Sequence, residues 1–150
     1  MYKKTLLVCA SFHHNNTFSI AKAIGVELDA KIIKPSEFDV EMISEYDLIG
    51  FGSGIYNGKH HQEIFDLIEN VKAQDHKHAF IFSTSTIPFK TINKSIKESL
   101  TKKGFDIIGE FNCKGFMDYS FTKYFGGLNK GRPNAIDIEK ARDFARMMSK

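Results

Sequence analysis

Leu6-Leu7-Val8-Cys9-Ala10-Ser11-Phe12-His13-His14-Asn15-Asn16-Thr17, running on into Phe18-Ser19-Ile20-Ala21-Lys22-Ala23-Ile24, decides how the whole chain is read. A short apolar run gives way to hydroxyl, imidazole and amide side chains, and apolar residues then return with helical spacing. This is the pattern of a buried strand, a polar loop and the start of a helix. The first N–H groups of a helix lack intrahelical partners and sit at the positive end of its dipole, so such a loop suits a phosphate. Ser11 and Thr17 add hydroxyl donors, while Asn15 and Asn16 tolerate the left-handed backbone of a tight anion nest.

The same strand-to-helix rhythm continues outward. Strands are predicted at about 4–10, 30–34, 47–53, 78–83 and 106–113. Leu48-Ile49-Gly50-Phe51 and Ala79-Phe80-Ile81-Phe82 are nearly continuous apolar runs, as in a parallel sheet covered on both faces. Between them lie helical stripes: Ile20, Ile24 and Leu28; Ile64, Ile68 and Val71; Ile92, Ile96 and Leu100; and Ile138, Ala141, Ala145 and Met148. Gly104 stands where a helix C-terminal glycine is expected, and Asn134 where a cap of the last helix is expected, ahead of Asp137 and Glu139. Pro35-Ser36-Glu37-Phe38 leaves little room for a full helix between the second and third strands. The alternation predicts one doubly wound α/β domain over residues 1–150, a three-layer sandwich.

Composition narrows the function classes. With 150 residues, 42% hydrophobic and 26% charged, the chain is ordinary for a globular domain. A net charge of +3, from 21 basic against 18 acidic residues, is too small and too scattered to argue for nucleic acid. Lys94, Lys97, Lys102 and Lys103 read as a solvated helix face. No apolar run is long enough to span a bilayer, and the opening segment is a poor signal peptide, so a cytoplasmic location is expected. Two cysteines, Cys9 and Cys113, make neither a disulfide framework nor a zinc spacing. Both read as inert, Cys9 as a small buried hydrophobe.

In doubly wound sheets ligands bind beyond the C-terminal strand ends, where the strand order reverses. Three loops are placed there: Ser11 to Thr17, Ser53-Gly54-Ile55-Tyr56-Asn57-Gly58, and Ser83-Thr84-Ser85-Thr86. Each is rich in hydroxyl residues or glycine, which admit close backbone approach and donate hydrogen bonds. Four other phosphate-handling readings fail on these residues. A Cys-x5-Arg phosphatase loop opening at Cys9 needs arginine where Asn15 stands. A nucleotide P-loop needs Gly-Lys-Ser/Thr at the helix start, which is absent. A receiver domain needs an aspartate where Gly52 and Ser53 stand, and the lone Gly52-x-Gly54 lies after the wrong strand for a dinucleotide fold. The pairs His13-His14 and His60-His61 are expected near the switch point, donating to a bound ligand such as a phosphate rather than binding a metal.

Ser-x5-Thr opening a helix, then Tyr-Asp-Leu-Ile-Gly-Phe-Gly-Ser-Gly-Ile-Tyr, then Phe-Ser-Thr-Ser, resembles the flavodoxin family across essentially the whole chain. The resemblance implies the flavodoxin-like fold, a five-stranded parallel sheet in the order 2-1-3-4-5. It implies bound FMN, with Ser11, His13, His14, Asn15, Asn16 and Thr17 around the phosphate. Tyr56, with Ser53, Gly54, Ile55, Asn57 and Gly58, would meet the isoalloxazine ring. Ser83, Thr84, Ser85 and Thr86 would reach its polar edge or the ribityl chain. The chain differs from the family pattern in a first loop one residue longer than Thr-x-Thr-Gly-Asn-Thr, in having no tryptophan, and in a basic pI near 8.8.

The function expected is electron transfer by an FMN protein, a monomer or weak dimer with a redox partner protein that presents an acidic face. An alternative is an FMN-dependent reductase of a quinone or other small acceptor. A further alternative is a flavin-binding protein-interaction module, with the aromatic segment Phe116, Tyr119, Phe121, Tyr124 and Phe125 as a flap or docking surface. These residues belong to a stretch from Lys114 to Pro133 that is long for a loop and too aromatic for disorder.

Overall fold

In a computed structural model that describes residues 2–11, 16–56, 58–87, 91–115 and 131–149, every residue of β1 (Thr5–Ala10) is buried. A strand apolar at consecutive positions must be covered on both faces, and β1 lies inside a parallel sheet. The other strands are β2 (Lys31–Ile33), β3 (Leu48–Tyr56), β4 (Lys59–His60), β5 (Lys77–Ser85) and β6 (Phe105–Lys114). The sheet order is β2-β1-β3-β5-β6, all parallel, with the two-residue β4 folded back antiparallel on the tip of β3. Leaving out that short hairpin strand, this is the expected order 2-1-3-4-5. The chain moves from β1 to β2 on one side and then crosses to β3 on the other, so the switch point lies between β1 and β3.

Two apolar layers flank the sheet. Leu6, Val8, Ile49, Phe51 and Ile81 pack under α2 (Gln62–Glu69) and α3 (Lys94–Lys102) through Ile64, Ile68, Ile96 and Leu100. Leu7, Cys9, Phe80 and Phe82 pack under α1 (Asn16–Leu28) and α4 (Ala135–Met148) through Ile20, Ile24, Ala141, Ala145 and Met148. The second layer works because large and small residues pair across β3 and β5. Gly50 faces Phe80 and Gly52 faces Phe82. A Cβ at Gly50 would lie 2.4 Å from the Phe80 ring, and one at Gly52 2.1 Å from the Phe82 ring.

Local signals end the helices where expected. Gly104 follows α3 with a φ of +91°, and a Cβ there would meet the Gln74 carbonyl oxygen at 2.0 Å. Asn134 caps α4, its side chain accepting from the Asp137 N–H while Asp137 accepts from the Asn134 N–H. Arg132 clamps the same carboxylate with two N–H groups. Burial pulls Asp137 upward, but the Arg132 and Asn134 hydrogen bonds outweigh it and hold the carboxyl below its ordinary range.

Three expectations are refined. Ser53 to Tyr56 belong to β3 rather than to a loop, because Ile55 and Tyr56 find backbone partners in His60 and Lys59. Ser83 to Ser85 likewise continue β5, paired to Asn112, Cys113 and Lys114. Val71 and Ile92 are buried but lie beyond the ends of α2 and α3, so their stripes report burial more than helix. The crossover from β2 to β3 carries two 3-10 turns, Pro35–Glu37 and Val40–Glu45, in place of a helix. No helix among the described residues is long and apolar enough to cross a membrane.

Candidate functional site

The C-terminal ends of β1, β3 and β5 meet at one edge of the sheet, and their polar residues tie them together. α1 opens directly after the first loop with no acidic residue in its first turn, so no carboxylate of that turn opposes an anion at the dipole's positive end. Ser11 Oγ accepts from the Phe18 N–H at 3.3 Å, satisfying one of the helix's unpaired donors. Thr17 is 1% exposed, and its Oγ1 lies 2.8 Å from Thr84 Oγ1. That bond fastens the start of α1 to the end of β5. Asn16 packs on Gly115, where a Cβ would sit 2.8 Å from Asn16 Nδ2, and the Gly115 N–H donates to the Ser85 carbonyl at 3.0 Å.

Tyr56 stands at the tip of β3, half-buried, its ring edge-on to His61 with centroids 5.4 Å apart. Gly54 makes room for it, since a Cβ there would lie 3.1 Å from the Tyr56 hydroxyl. Gly58 turns the hairpin at a φ of +79° with open space around it. Beneath the hairpin, Ser53 Oγ accepts from the His61 N–H at 2.9 Å and donates to the Gly54 carbonyl at 2.6 Å. His61 Nδ1 accepts from the Glu63 N–H at 3.1 Å and so caps α2.

The structure thus brings Asn16, Thr17, Thr84 and Ser85 into one connected edge, with Ser11 and the hairpin bearing Ser53, Gly54, Ile55, Tyr56 and Gly58 alongside. Thr86 follows directly after β5. His13, His14, Asn15 and Asn57 lie outside the described residues, as do Lys90 and the aromatic residues between 116 and 125. His60 and His61 do not converge on a metal. His60 turns into the protein toward Asn93, His61 caps a helix, and no group of metal ligands occurs among the described residues.

Burial pushes both thiols up to about 12, with Asp137 adding to the effect at Cys113, which makes Cys9 and Cys113 inert as nucleophiles. Burial also drives His60 down to about 4, against a smaller upward pull from its bond to Asn93, so its imidazole is neutral at ordinary pH. A cavity of about 660 Å³ lies on the β2 side of Ser11, lined by Phe18, Ile33, Pro35 and Glu63.

Asn93 and Asn112 escaped the sequence reading. Asn93 precedes α3 where a cap is expected, yet its side chain makes no cap hydrogen bond and turns instead to His60 and Ser83.

The donor set fits a phosphate-bearing, ring-containing group: hydroxyls and amides at an uncharged helix start, with an aromatic side chain across the edge. The chain matches the Flavodoxin domain family over residues 7–125 and belongs to it. An uncharacterized protein of Methanocaldococcus jannaschii is 48% identical over 149 residues, covering 98% of this chain and 99% of the relative. Among solved structures, flavodoxin 2 of Bacillus cereus aligns with a TM-score of 0.73 at 23% identity, over 97% of each chain. A flavodoxin from the domain Archaea aligns at 0.68 and 16% identity, over 98% of this chain and 99% of its own. These last two likenesses establish the fold.

Proposed function

We propose that this chain binds FMN and carries electrons between partner proteins. The observation that carries the reading is the helix start at the switch point: α1, with no acidic residue in its first turn, tied by Thr17 to β5 and by Asn16 to the end of β6. An anion there meets a preformed seat. Bound FMN supplies the redox chemistry. The chain's residues hold and screen it. Ser11, Asn16 and Thr17, with His13, His14 and Asn15 of the same loop, surround the phosphate. Tyr56 and its hairpin cover the ring, and Ser83 to Thr86 line its polar edge. No side chain need act as acid or base. His60 is neutral and buried, and neither thiol ionises in the ordinary range.

Family membership and the likeness to flavodoxins support this reading over a small-acceptor reductase, whose substrate pocket would adjoin the ring. The partner we infer is a redox protein with an acidic face, because the hairpin carries Lys59 and β6 ends on Lys114 in a chain of net charge +3.

The test is the absorbance spectrum of the purified protein followed by flavin titration. Saturable FMN uptake is expected, with FAD weaker because a chain-terminal phosphate fits a closed helix start and a pyrophosphate needs an exit path. No saturable uptake, or a clear preference for FAD, refutes the proposal. Mixing the FMN-loaded protein with NADPH or NADH in stopped flow should show only slow reduction without a separate reductase. Fast reduction would make it an enzyme.

A further inference from the structure

Behind the candidate site, five polar side chains form one hydrogen-bond chain whose two arms both end on the Asn93 carbonyl oxygen. Ser85 Oγ donates to Asn112 Oδ1 at 3.3 Å, and Asn112 Nδ2 donates to Ser83 Oγ at 2.8 Å. Ser83 Oγ in turn donates to Asn93 Oδ1 at 3.0 Å. The chain ends at His60, whose Nε2 lies 2.7 Å from the same Asn93 oxygen. A carbonyl oxygen only accepts, so His60 must carry its proton on Nε2 and leave Nδ1 bare. That Nδ1 is buried and has no hydrogen-bond partner among the described residues.

A buried acceptor without a partner costs stability, and a core built for stability alone is better served by an apolar side chain. What His60 contributes is a tether. It lies in β4, which among the described residues pairs only with Ile55 and Tyr56 at the tip of β3. Through Asn93 it reaches the start of α3, through Ser83 the end of β5, and through Asn112 the edge strand β6. Every member of the chain is uncharged at ordinary pH, so it clamps the hairpin without adding a charge beside the site.

We propose that His60 is a positioning residue, which holds the Tyr56 hairpin against the end of β5 through its Nε2–H and so sets how firmly that wall grips the flavin. The proposal rests on the FMN reading above for its ligand, though not for the tether itself. It separates two effects that a merely structural histidine would join. Loss of the tether should loosen the hairpin and the flavin, while global stability stays level or rises because the bare Nδ1 is gone.

The experiment compares wild type, His60→Leu and His60→Gln in three measurements: amide hydrogen exchange of Ile55, Gly58, Lys59 and His60 or its replacement in the FMN-free protein, FMN dissociation rate, and urea unfolding. One lost hydrogen bond corresponds to about a tenfold change. His60→Leu should therefore exchange its hairpin amides about tenfold faster and release FMN about tenfold faster, with an unfolding midpoint no lower than wild type. His60→Gln, which places an N–H near the Nε2 position, should restore both rates. The proposal is overturned if His60→Leu leaves both rates within about twofold of wild type, or if His60→Gln behaves as His60→Leu. It is also overturned if the hairpin loosens only in step with a fall in global stability. Should His60→Leu fail to fold, Ser83→Ala removes the next link and should speed hairpin exchange in the FMN-free protein about threefold; an unchanged exchange rate there counts equally against the tether. A wild-type protein that takes up no FMN refutes the preceding section, and hairpin exchange still decides the tether.

Discussion

Tyr56 sits where a single side chain can be read by light. Its ring stands edge-on to His61 and over the space that Gly54 leaves open. With FMN bound, Tyr56→Ala should brighten flavin fluorescence and weaken binding by about 1–3 kcal/mol, the range for planar groups stacked on aromatics. Fluorescence that stays fully quenched would assign the ring contact to another residue. His60 gives a second residue-scale expectation, in pH. Above its ordinary value of 6.5 the imidazole is neutral both folded and unfolded. Below that value the unfolded chain takes up a proton, whereas the folded one waits until about 4. Stability should therefore fall as pH drops from about 6.5 to 4, by up to about 3 kcal/mol from this group. His76, raised by its bond to Asp106, has the opposite sense: what it adds is present at low pH and lost as pH rises. The difference between wild type and His60→Leu isolates the His60 part in urea titrations across this range. A His60→Leu curve parallel to wild type would remove the assignment.

At the scale of elements, β3 packs against β5 with no room for a side chain at Gly50 or Gly52. Gly52→Ala would drive a methyl group into the Phe82 ring, and Phe82 is fully buried with Phe80 beside it. A loss of about 1–3 kcal/mol, or more, is expected by urea unfolding. A loss under about 0.5 kcal/mol would mean that the ring has somewhere to go. These elements also mark how far the sequence could be read. Apolar runs sufficed to place the five parallel strands, because a strand buried on both faces declares itself locally. They stopped three residues early on β3 and two early on β5, since Ile55, Tyr56, Thr84 and Ser85 are kept in the sheet by partners in β4 and β6 rather than by hydrophobicity. The candidate site divides the same way. The hydroxyl-rich loops and Tyr56 stand in recognisable order along the chain, whereas His60 meets Asn93 across 33 residues and Asn112 meets Ser83 across 29, separations that no local pattern carries.

For the molecule as a whole, charge is the property most open to test. A cation a few ångströms from a reduced, negatively charged flavin stabilises it by about 1–4 kcal/mol, depending on the effective dielectric. Lys59 opens β4 and Lys114 ends β6 beside the site, while Lys90 lies outside the described residues. The potential of the bound flavin should then fall as salt screens these cations, in a redox titration run at low and high ionic strength. A very low potential that ignores salt would oppose it. One further consequence of the glycine row concerns misfolding. Gly50, Gly52 and Gly54 offer three successive seats along β3, so the rings of Phe80 and Phe82 would find glycine again after a two-residue slip, at Gly52 and Gly54. Shape alone therefore does not choose between the native alignment and its shifted neighbour. The polar residues on the opposite face do. A slip would set Ser83 against Ile55 and part His60, which the β3 hairpin carries, from Asn93, leaving a buried imidazole N–H with nothing to bond. The side chains that brace the site are thus also the ones that keep the two strands from settling one step out of line.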